Sequence, residues 1–539
     1  MLLGQMMEMP LTITAIMRHA ERVHQDGHIS SITVDNPGHR ITYGDAFARA
    51  RRLANALQEL GLQRGDRIAT LMWNDYRHFE AYYAISCSGY VCHTINPRLF
   101  PEQLEYIVNH AEDRALLVDP TLLPLVERIA DKLPTLRQII VAGGAVPDSA
   151  LPNLVAWEDF IGGASEDFRF PALDEREASS LCYTSGTTGN PKGVLYSHRS
   201  TVLHAMACAS PDVLGIGSSD SVLPVVPMFH VNAWSTPYAA PMLGSNLIFP
   251  GPKMGDGETL AKLINGHGVS FALGVPTIWL GLLTWCREND VTLEPLERVG
   301  VGGAACPLAI MDEFRERHGV HVQQGWGMTE MSPVGTFNVP RKALADLPLD
   351  NARQVQVLQG RTIFTVEMKI TDDDNNELPW DNEAVGRLKV RGPGVCSGYY
   401  RLEDSETHDA EGWFDTGDVA AITPDGNLRI TDRTKDVIKS GGEWISSIDL
   451  ENAVMAHPAV AEAAVIGISH PKWTERPLMI VVAAGEAPSG EELRGFLKGK
   501  VADWWIPEDV VFVDELPHGA TGKVSKLELR KQFKDYEAS

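Results

Sequence analysis

The stretch Tyr183-Thr184-Ser185-Gly186-Thr187-Thr188-Gly189-Asn190-Pro191-Lys192-Gly193 carries the strongest chemical signal in the chain. Its glycines free the backbone so that several N–H groups can point at one anion. The hydroxyls of Thr184, Ser185, Thr187 and Thr188 and the ammonium of Lys192 add charge-assisted bonds. Such a stretch predicts a polyphosphate ligand. The order is not that of a Walker loop, because Pro191 separates Asn190 from Lys192 and Gly193 follows, so P-loop phosphoryl transfer is disfavoured. Upstream, Ser180-Leu181-Cys182-Tyr183 reads as the end of a strand, and Ser197-His198-Arg199-Ser200 reads as the start of the next helix.

Further blocks follow in order: Gly325-Trp326-Gly327-Met328-Thr329-Glu330, Trp413-Phe414-Asp415-Thr416-Gly417-Asp418, Asp432-Arg433-Thr434-Lys435-Asp436, Lys439-Ser440-Gly441-Gly442-Glu443 and Gly519-Ala520-Thr521-Gly522-Lys523. Gly300-Val301-Gly302-Gly303-Ala304-Ala305 fits a loose dinucleotide pattern. It lacks the acidic residue expected about 20 positions on, so a wall for a purine and an acyl group is preferred to a nicotinamide site.

The formal net charge of −24 repels nucleic acid and anionic lipid, and no dense basic run offsets it. A site for anions must therefore gather positive charge from individual residues, which singles out Lys192, Arg433 and Lys523. Cysteines 87, 92, 182, 208, 286, 306 and 396 form no C-x-x-C pair, so reduced thiols are expected. The first ten residues lack a basic n-region, and a cytoplasmic location is expected. Residues 221–252 contain no Asp, Glu, Lys or Arg, a span long enough to cross a bilayer. Prolines 224, 227, 237, 241, 250 and 252 argue instead for strand, loop and short helix around an apolar cavity.

A chain of 539 residues, 44% hydrophobic and 22% charged, can bury several cores. Thr42-Tyr43-Gly44-Asp45 predicts a helix start. Phe47, Ala50, Ala54 and Leu57 then recur at helical spacing as far as Gly61. Short apolar runs at 67–72, 115–118 and 138–141 alternate with helical segments, the pattern of a parallel sheet covered on both faces. From 384 to 400 the texture changes to short strands and glycines, predicting a small β-rich subdomain. Beyond 436, a helix at 448–456 and strands at 463–466 and 479–482 predict a separate small α+β unit.

Taken together, the ordered blocks resemble the adenylate-forming acyl-CoA synthetases over essentially the whole chain. That resemblance implies an α/β N-terminal domain, residues 1–434, with parallel-sheet subdomains and a small β-rich one. A mobile α+β C-terminal domain, 435–539, would be hinged near Lys435. It implies that a carboxylate attacks the α-phosphorus of ATP to give an acyl-adenylate, and that the thiol of coenzyme A then displaces AMP. Both reactants of the first step are anions, so charge neutralisation and positioning dominate.

The resemblance places roles residue by residue. Lys523 is the central catalyst, and Glu330 with the hydroxyl of Thr184 holds Mg²⁺, a hard cation that prefers oxygen. Thr329 bonds the α-phosphate, Trp326 lies against adenine, Asp418 takes the ribose hydroxyls and Arg433 reaches ribose or phosphate. Gly303, Ala304, Ala305, Gly325, Gly327 and Met328 complete the nucleotide side. Turning at Lys435 withdraws Lys523 and brings Lys439, Gly441, Gly442, Glu443 and Trp444 to the pantetheine channel.

His230 would stand where acyl pocket meets thiol channel. Val231, Trp234, Val301, Gly302, Gly303, Met328 and Met331 would line the acyl pocket, and the bulk of Trp234 argues for a short or medium acid. The context of Ile95-Asn96-Pro97-Arg98-Leu99 looks like the branch containing medium-chain fatty-acid and 3-methylmercaptopropionate ligases. A thioether nearly matches a methylene, so one pocket would accept both kinds of acid. The expected partners are a small carboxylic acid, ATP and coenzyme A, with neither nucleic acid nor a membrane span; a homodimer is admitted but not required. Loading of a carrier protein is the alternative within the family, disfavoured by the lack of an appended carrier domain. A silent nucleotide sensor would be expected to lose Lys523 or Glu330, and a luciferase-like oxygenase would consume oxygen.

Overall fold

The structure is a computed structural model. It describes all residues except 185–189, 342–347, 403–406, 441–442, 520–523, 535 and 537–539, and the side chains of 349, 350, 443 and 444. Four sheets organise the described chain.

The first sheet runs in the order Leu154–Ala156, Gln138–Val141, Ala115–Val118, Arg67–Leu71, Val91–Thr94, Ala178–Tyr183, Gly193–Ser197. All its pairings are parallel except the last. Ala115–Val118 and Val91–Thr94 are buried along their whole length, as expected where helices cover both faces of a parallel sheet. The predicted helix forms over Tyr43–Glu59, with the Thr42 hydroxyl accepting the Asp45 N–H at 3.1 Å.

The second sheet has nine strands in the order Arg361–Thr362, Val334–Phe337, His321–Gly327, Arg298–Val301, Phe271–Gly274, Ser221–Pro224, Asn246–Phe249, His28–Ser31, His39–Thr42. The charge-free stretch is distributed as the sequence predicts. It supplies the strands Ser221–Pro224 and Asn246–Phe249 and the short helix Thr236–Leu243 between them. No helix among the described residues is long and apolar enough to cross a membrane.

The small β-rich part is an antiparallel sheet of Glu367–Thr371, Gly386–Arg391, Phe414–Ile422 and Leu428–Arg433. Residues 384–400 therefore contribute one strand rather than several, and its partners come from further along the chain. The fourth sheet takes only C-terminal strands, Ile438–Ser440, Glu443–Ile445, Val460–His470, Thr474–Ala483 and Asp509–Phe512. Helices Ser447–Met455 and Gly490–Leu497 cover one of its faces, and Lys526–Gln532 packs on the other. The fold is thus α/β with a large N-terminal part and a small α+β C-terminal part.

Candidate active site

One wall of the site grows from the strand His321–Gly327. A bulge between Trp326 and Gly327 turns the chain into the single helical turn Thr329–Met331. Glycine at 327 is required by packing, since a Cβ there would meet Pro333 O at 2.2 Å. The bulge aims the Trp326 indole N–H at Asp418 Oδ2, 2.9 Å away. Asp418 is buried, and its other oxygen meets Arg433 Nε at 2.8 Å. Asp418 and Arg433 are cross-strand partners, so the ion pair is set by register. The Arg433 side chain is 44% exposed and leaves donors facing solvent.

Glu330 follows on the same wall and is only 6% exposed. Its Oε1 accepts the Tyr399 hydroxyl at 2.7 Å, and the Lys192 ammonium sits 4.8 Å from the centroid of that tyrosine ring. Burial pushes the Glu330 carboxyl above its ordinary range, against the opposing pull of Tyr399, Arg433 and Lys192. The Tyr196 hydroxyl donates to Thr329 O at 2.5 Å, fixing the turn from below.

The predicted polyphosphate stretch follows the strand and precedes the helix that the sequence predicts, with one further strand between the stretch and the helix. It joins the strands Ala178–Tyr183 and Gly193–Ser197, which pair antiparallel, and the helix begins at His198 with Ser197 as its cap, where the sequence predicts it. The run Gly193-Val194-Leu195-Tyr196 suits a strand packed on Leu181 and Tyr183, so no helix N-terminus directly follows the stretch. The base is clamped by Thr184 N–H to Lys192 O at 2.9 Å and Lys192 N–H to Thr184 Oγ1 at 3.1 Å. Ser185, Gly186, Thr187, Thr188 and Gly189 lie outside the described residues.

Where the sequence reading expects an acyl pocket, Val301 ends its strand fully buried, and Gly302 follows with its N–H directed to Gly274 O at 3.3 Å. A Cβ on Gly302 would meet Trp234 Cη2 at 2.6 Å, so the indole lies directly on this glycine. Val231, Asn232, Ala233, Trp234 and Ser235 all hold positive φ, between 44° and 61°, a left-handed run of five non-glycine residues. Side-chain bonds hold this strained run. Asn232 Nδ2 donates to Ser180 Oγ at 3.0 Å, and Ser235 Oγ lies 2.8 Å from His204 Nδ1. Burial lowers the His204 pKa to about 3, and the neutral ring accepts Val334 N–H at Nε2, 3.0 Å away. His204 thereby links the Trp234 segment to the strand behind Glu330.

His230 and Thr184 share a recess with Thr94, Asn96, Tyr183 and Phe229. Met328 is half-buried, and the fully buried Met331 packs toward Gly335 beside the Trp326 ring. Gly303 takes φ +83° in the turn after the strand, with Ala304 exposed and Ala305 half-buried. Lys435 is exposed, and such burial as its ammonium has pulls its pKa down. Lys439 and the backbone of Glu443 and Trp444 lie in a hairpin of the C-terminal sheet, Lys439 opposite Trp444. Gly441, Gly442 and Lys523 lie outside the described residues.

The structure thus brings Trp326, Asp418 and Arg433 together, Glu330 with Lys192, and Trp234 with Gly302. Sequence reasoning missed Tyr399 and His204. Each lies far along the chain from its partner, Tyr399 69 residues from Glu330 and His204 130 residues from Val334. No local pattern marks either. Among the described residues no three His, Cys, Asp or Glu side chains converge to hold a metal ion.

Comparison with known proteins decides the lineage. The profile of AMP-binding enzymes matches residues 18–400, and that of the AMP-binding enzyme C-terminal domain matches 449–523. The chain belongs to the AMP-binding enzymes. It falls among their ATP- and CoA-using ligases. It is 52% identical over 537 residues to a 3-methylmercaptopropionyl-CoA ligase of Ruegeria lacuscaerulensis, covering 99% of each chain. It is 48% identical to a medium-chain-fatty-acid–CoA ligase of Ectopseudomonas oleovorans, covering 99% of this chain and 98% of the relative. ATP-bound MatB from Rhodopseudomonas palustris superposes with a TM-score of 0.84 at 26% identity, over 98% of this chain and 99% of that one.

Proposed function

We propose that this AMP-forming acyl-CoA ligase activates a short or medium-chain carboxylic acid, with 3-methylmercaptopropionate the preferred candidate. One observation carries the nucleotide side: Trp326, Asp418 and Arg433 are locked into a single aromatic, acidic and basic edge that continues into Glu330. An indole face suits adenine, a carboxylate such as Asp418 is the acceptor type that ribose hydroxyls need, and the exposed guanidinium suits phosphate.

Glu330 fits a cation ligand, since it is a buried carboxylate whose side-chain partner among the described residues is a neutral phenol. With Thr184 it would hold Mg²⁺, which would neutralise phosphate charge. Lys192 adds positive charge on the same side. In the first step, Lys523 would screen the carboxylate from the α-phosphate as the acyl-adenylate forms and pyrophosphate leaves. The parts 1–434 and 435–539 would then turn about Lys435. His230 would face the reacting carbonyl as Gly441, Gly442, Glu443 and Trp444 line the approach of the thiol. Trp234 resting on Gly302 closes the acyl side and favours a limited chain length.

The acid assignment is supported by the two relatives above, one named for the thioether acid and one for medium-chain fatty acids. CoA-dependent AMP formation measured across propionate, butyrate, hexanoate, octanoate and 3-methylmercaptopropionate tests it. A maximum at the thioether acid or an acid of similar length is expected. A flat profile would reject the limited pocket, and ADP as product would reject the mechanism.

A further inference from the structure

Between the four-stranded sheet and the C-terminal unit, buried side-chain bonds cross the junction. Ser446 Oγ donates to Thr431 O at 2.6 Å, and the Ser447 N–H donates to Asp432 Oδ2 at 2.9 Å. The Ser447 hydroxyl also donates to that oxygen while accepting from the Lys526 ammonium. Lys526 pairs with Glu451 Oε1 at 2.8 Å. One hydroxyl thus joins a carboxylate on one side of the junction to an ammonium on the other, with its donor and acceptor both used. Ser446 and Ser447 are fully buried and Asp432 nearly so.

The two ends of this chain of bonds belong to different bodies. Asp432 is paired into the sheet opposite Val419, and Thr434 is tied to Gly417 O by its amide at 2.9 Å and its hydroxyl at 3.1 Å. Ser447 begins the helix Ser447–Met455, and Lys526 begins the helix Lys526–Gln532, three residues beyond Lys523. A turn about Lys435 would carry Ser447, Glu451 and Lys526 together and leave Asp432 behind. The Lys526–Glu451 pair and the Arg530–Asp436 pair would travel intact. Burial alone would pull the Lys526 ammonium down, but Glu451 and Asp432 outweigh it and hold it above its ordinary range.

We propose that Asp432, Ser447 and Lys526 form a latch that holds the C-terminal unit in this orientation, making Lys526 a positioning residue for the segment that bears Lys523. The latch rests on the proposed turning at Lys435. Breaking it strands a buried carboxylate, so its strength sets how the enzyme divides its time between the two half-reactions.

The test measures the half-reactions separately in the full chain: pyrophosphate release from acid and ATP, and thioester formation from preformed acyl-adenylate and CoA. Ser447→Ala and Lys526→Met are expected to change the ratio of the two rates by at least about fivefold, a shift of about 1 kcal/mol between orientations. Lys526→Arg is expected to restore the ratio. Asp432→Asn provides a second route should either variant fold poorly, as read by melting temperature. Equal loss of both half-reactions, or no change in either, overturns the latch. Lys523→Ala in the same assays separates the two ideas. If it spares thioester formation while the latch variants leave the ratio unchanged, only the latch fails. If it abolishes both equally, the turning fails and the latch with it.

Discussion

Glu330 and Asp432 are both buried carboxylates that accept a hydroxyl, yet they are furnished in opposite ways. Asp432 takes the N–H groups of Arg433 and Ser447 and the Ser447 hydroxyl, with an ammonium one bond further on. Glu330 has the Tyr399 phenol as its side-chain partner among the described residues, and burial raises its pKa. A carboxylate saturated by its own chain serves architecture, whereas one with fewer donors can accept a cation from outside. The contrast separates the wall that would receive the nucleotide from the junction that would move.

The sharpest division between the two regions should come from Lys523→Ala. It is expected to lower adenylate formation by roughly 10³-fold, by analogy with the loss of a preorganised charge, and to reduce thioesterification of preformed adenylate far less. Equal losses would remove the C-terminal unit from the first step. Next in size, Glu330→Gln should lower adenylate formation roughly 10²-fold and weaken its dependence on added Mg²⁺, because a neutral amide loses several kcal/mol of metal-held charge. Retained Mg²⁺ dependence would place the cation elsewhere.

Gly302→Ala tests the acyl side, because its methyl would press on the Trp234 ring. About a tenfold fall in kcat/KM is expected for the preferred acid, with a smaller fall for shorter acids, from an overpacking cost of about 1–3 kcal/mol. An unchanged acid profile would detach Trp234 from selectivity. The mildest variant is Tyr399→Phe. Loss of one net hydrogen bond, about 1 kcal/mol, predicts roughly a fivefold effect on adenylation. In the proposed role Glu330 acts as the carboxylate, and burial raises its pKa, so activity should fall on acidification at a higher pH than for an ordinary carboxylate. Removing the Tyr399 donor should raise that pKa again and move the acid limb further up. A limb moving down in a pH profile of pyrophosphate release would contradict the assignment.

The sequence by itself determined the kinds of chemistry available and the local elements that carry them. Thr42 and Asp45 start a helix because a hydroxyl near a free N–H acts within one turn. Buried apolar runs make parallel strands because every side chain there meets a covering helix. The ordered blocks around Lys192, Glu330, Asp418 and Arg433 likewise pointed to a polyphosphate site before any fold was known. The same local reading found the helix start at Ser197 but not the strand that precedes it. The run Val194-Leu195-Tyr196 is a strand because it pairs with Ala178–Tyr183, a partner that the fold supplies.

Only the tertiary structure decided the partnerships. Tyr399 reaches Glu330 across 69 residues, His204 bonds the strand behind it across 130, and Lys526 meets Ser447 across 79. Periodicity and capping report forces between neighbours in the chain. Such distant contacts exist because sheet register and helix packing bring them together, so their donors and acceptors can be matched only after the chain has folded.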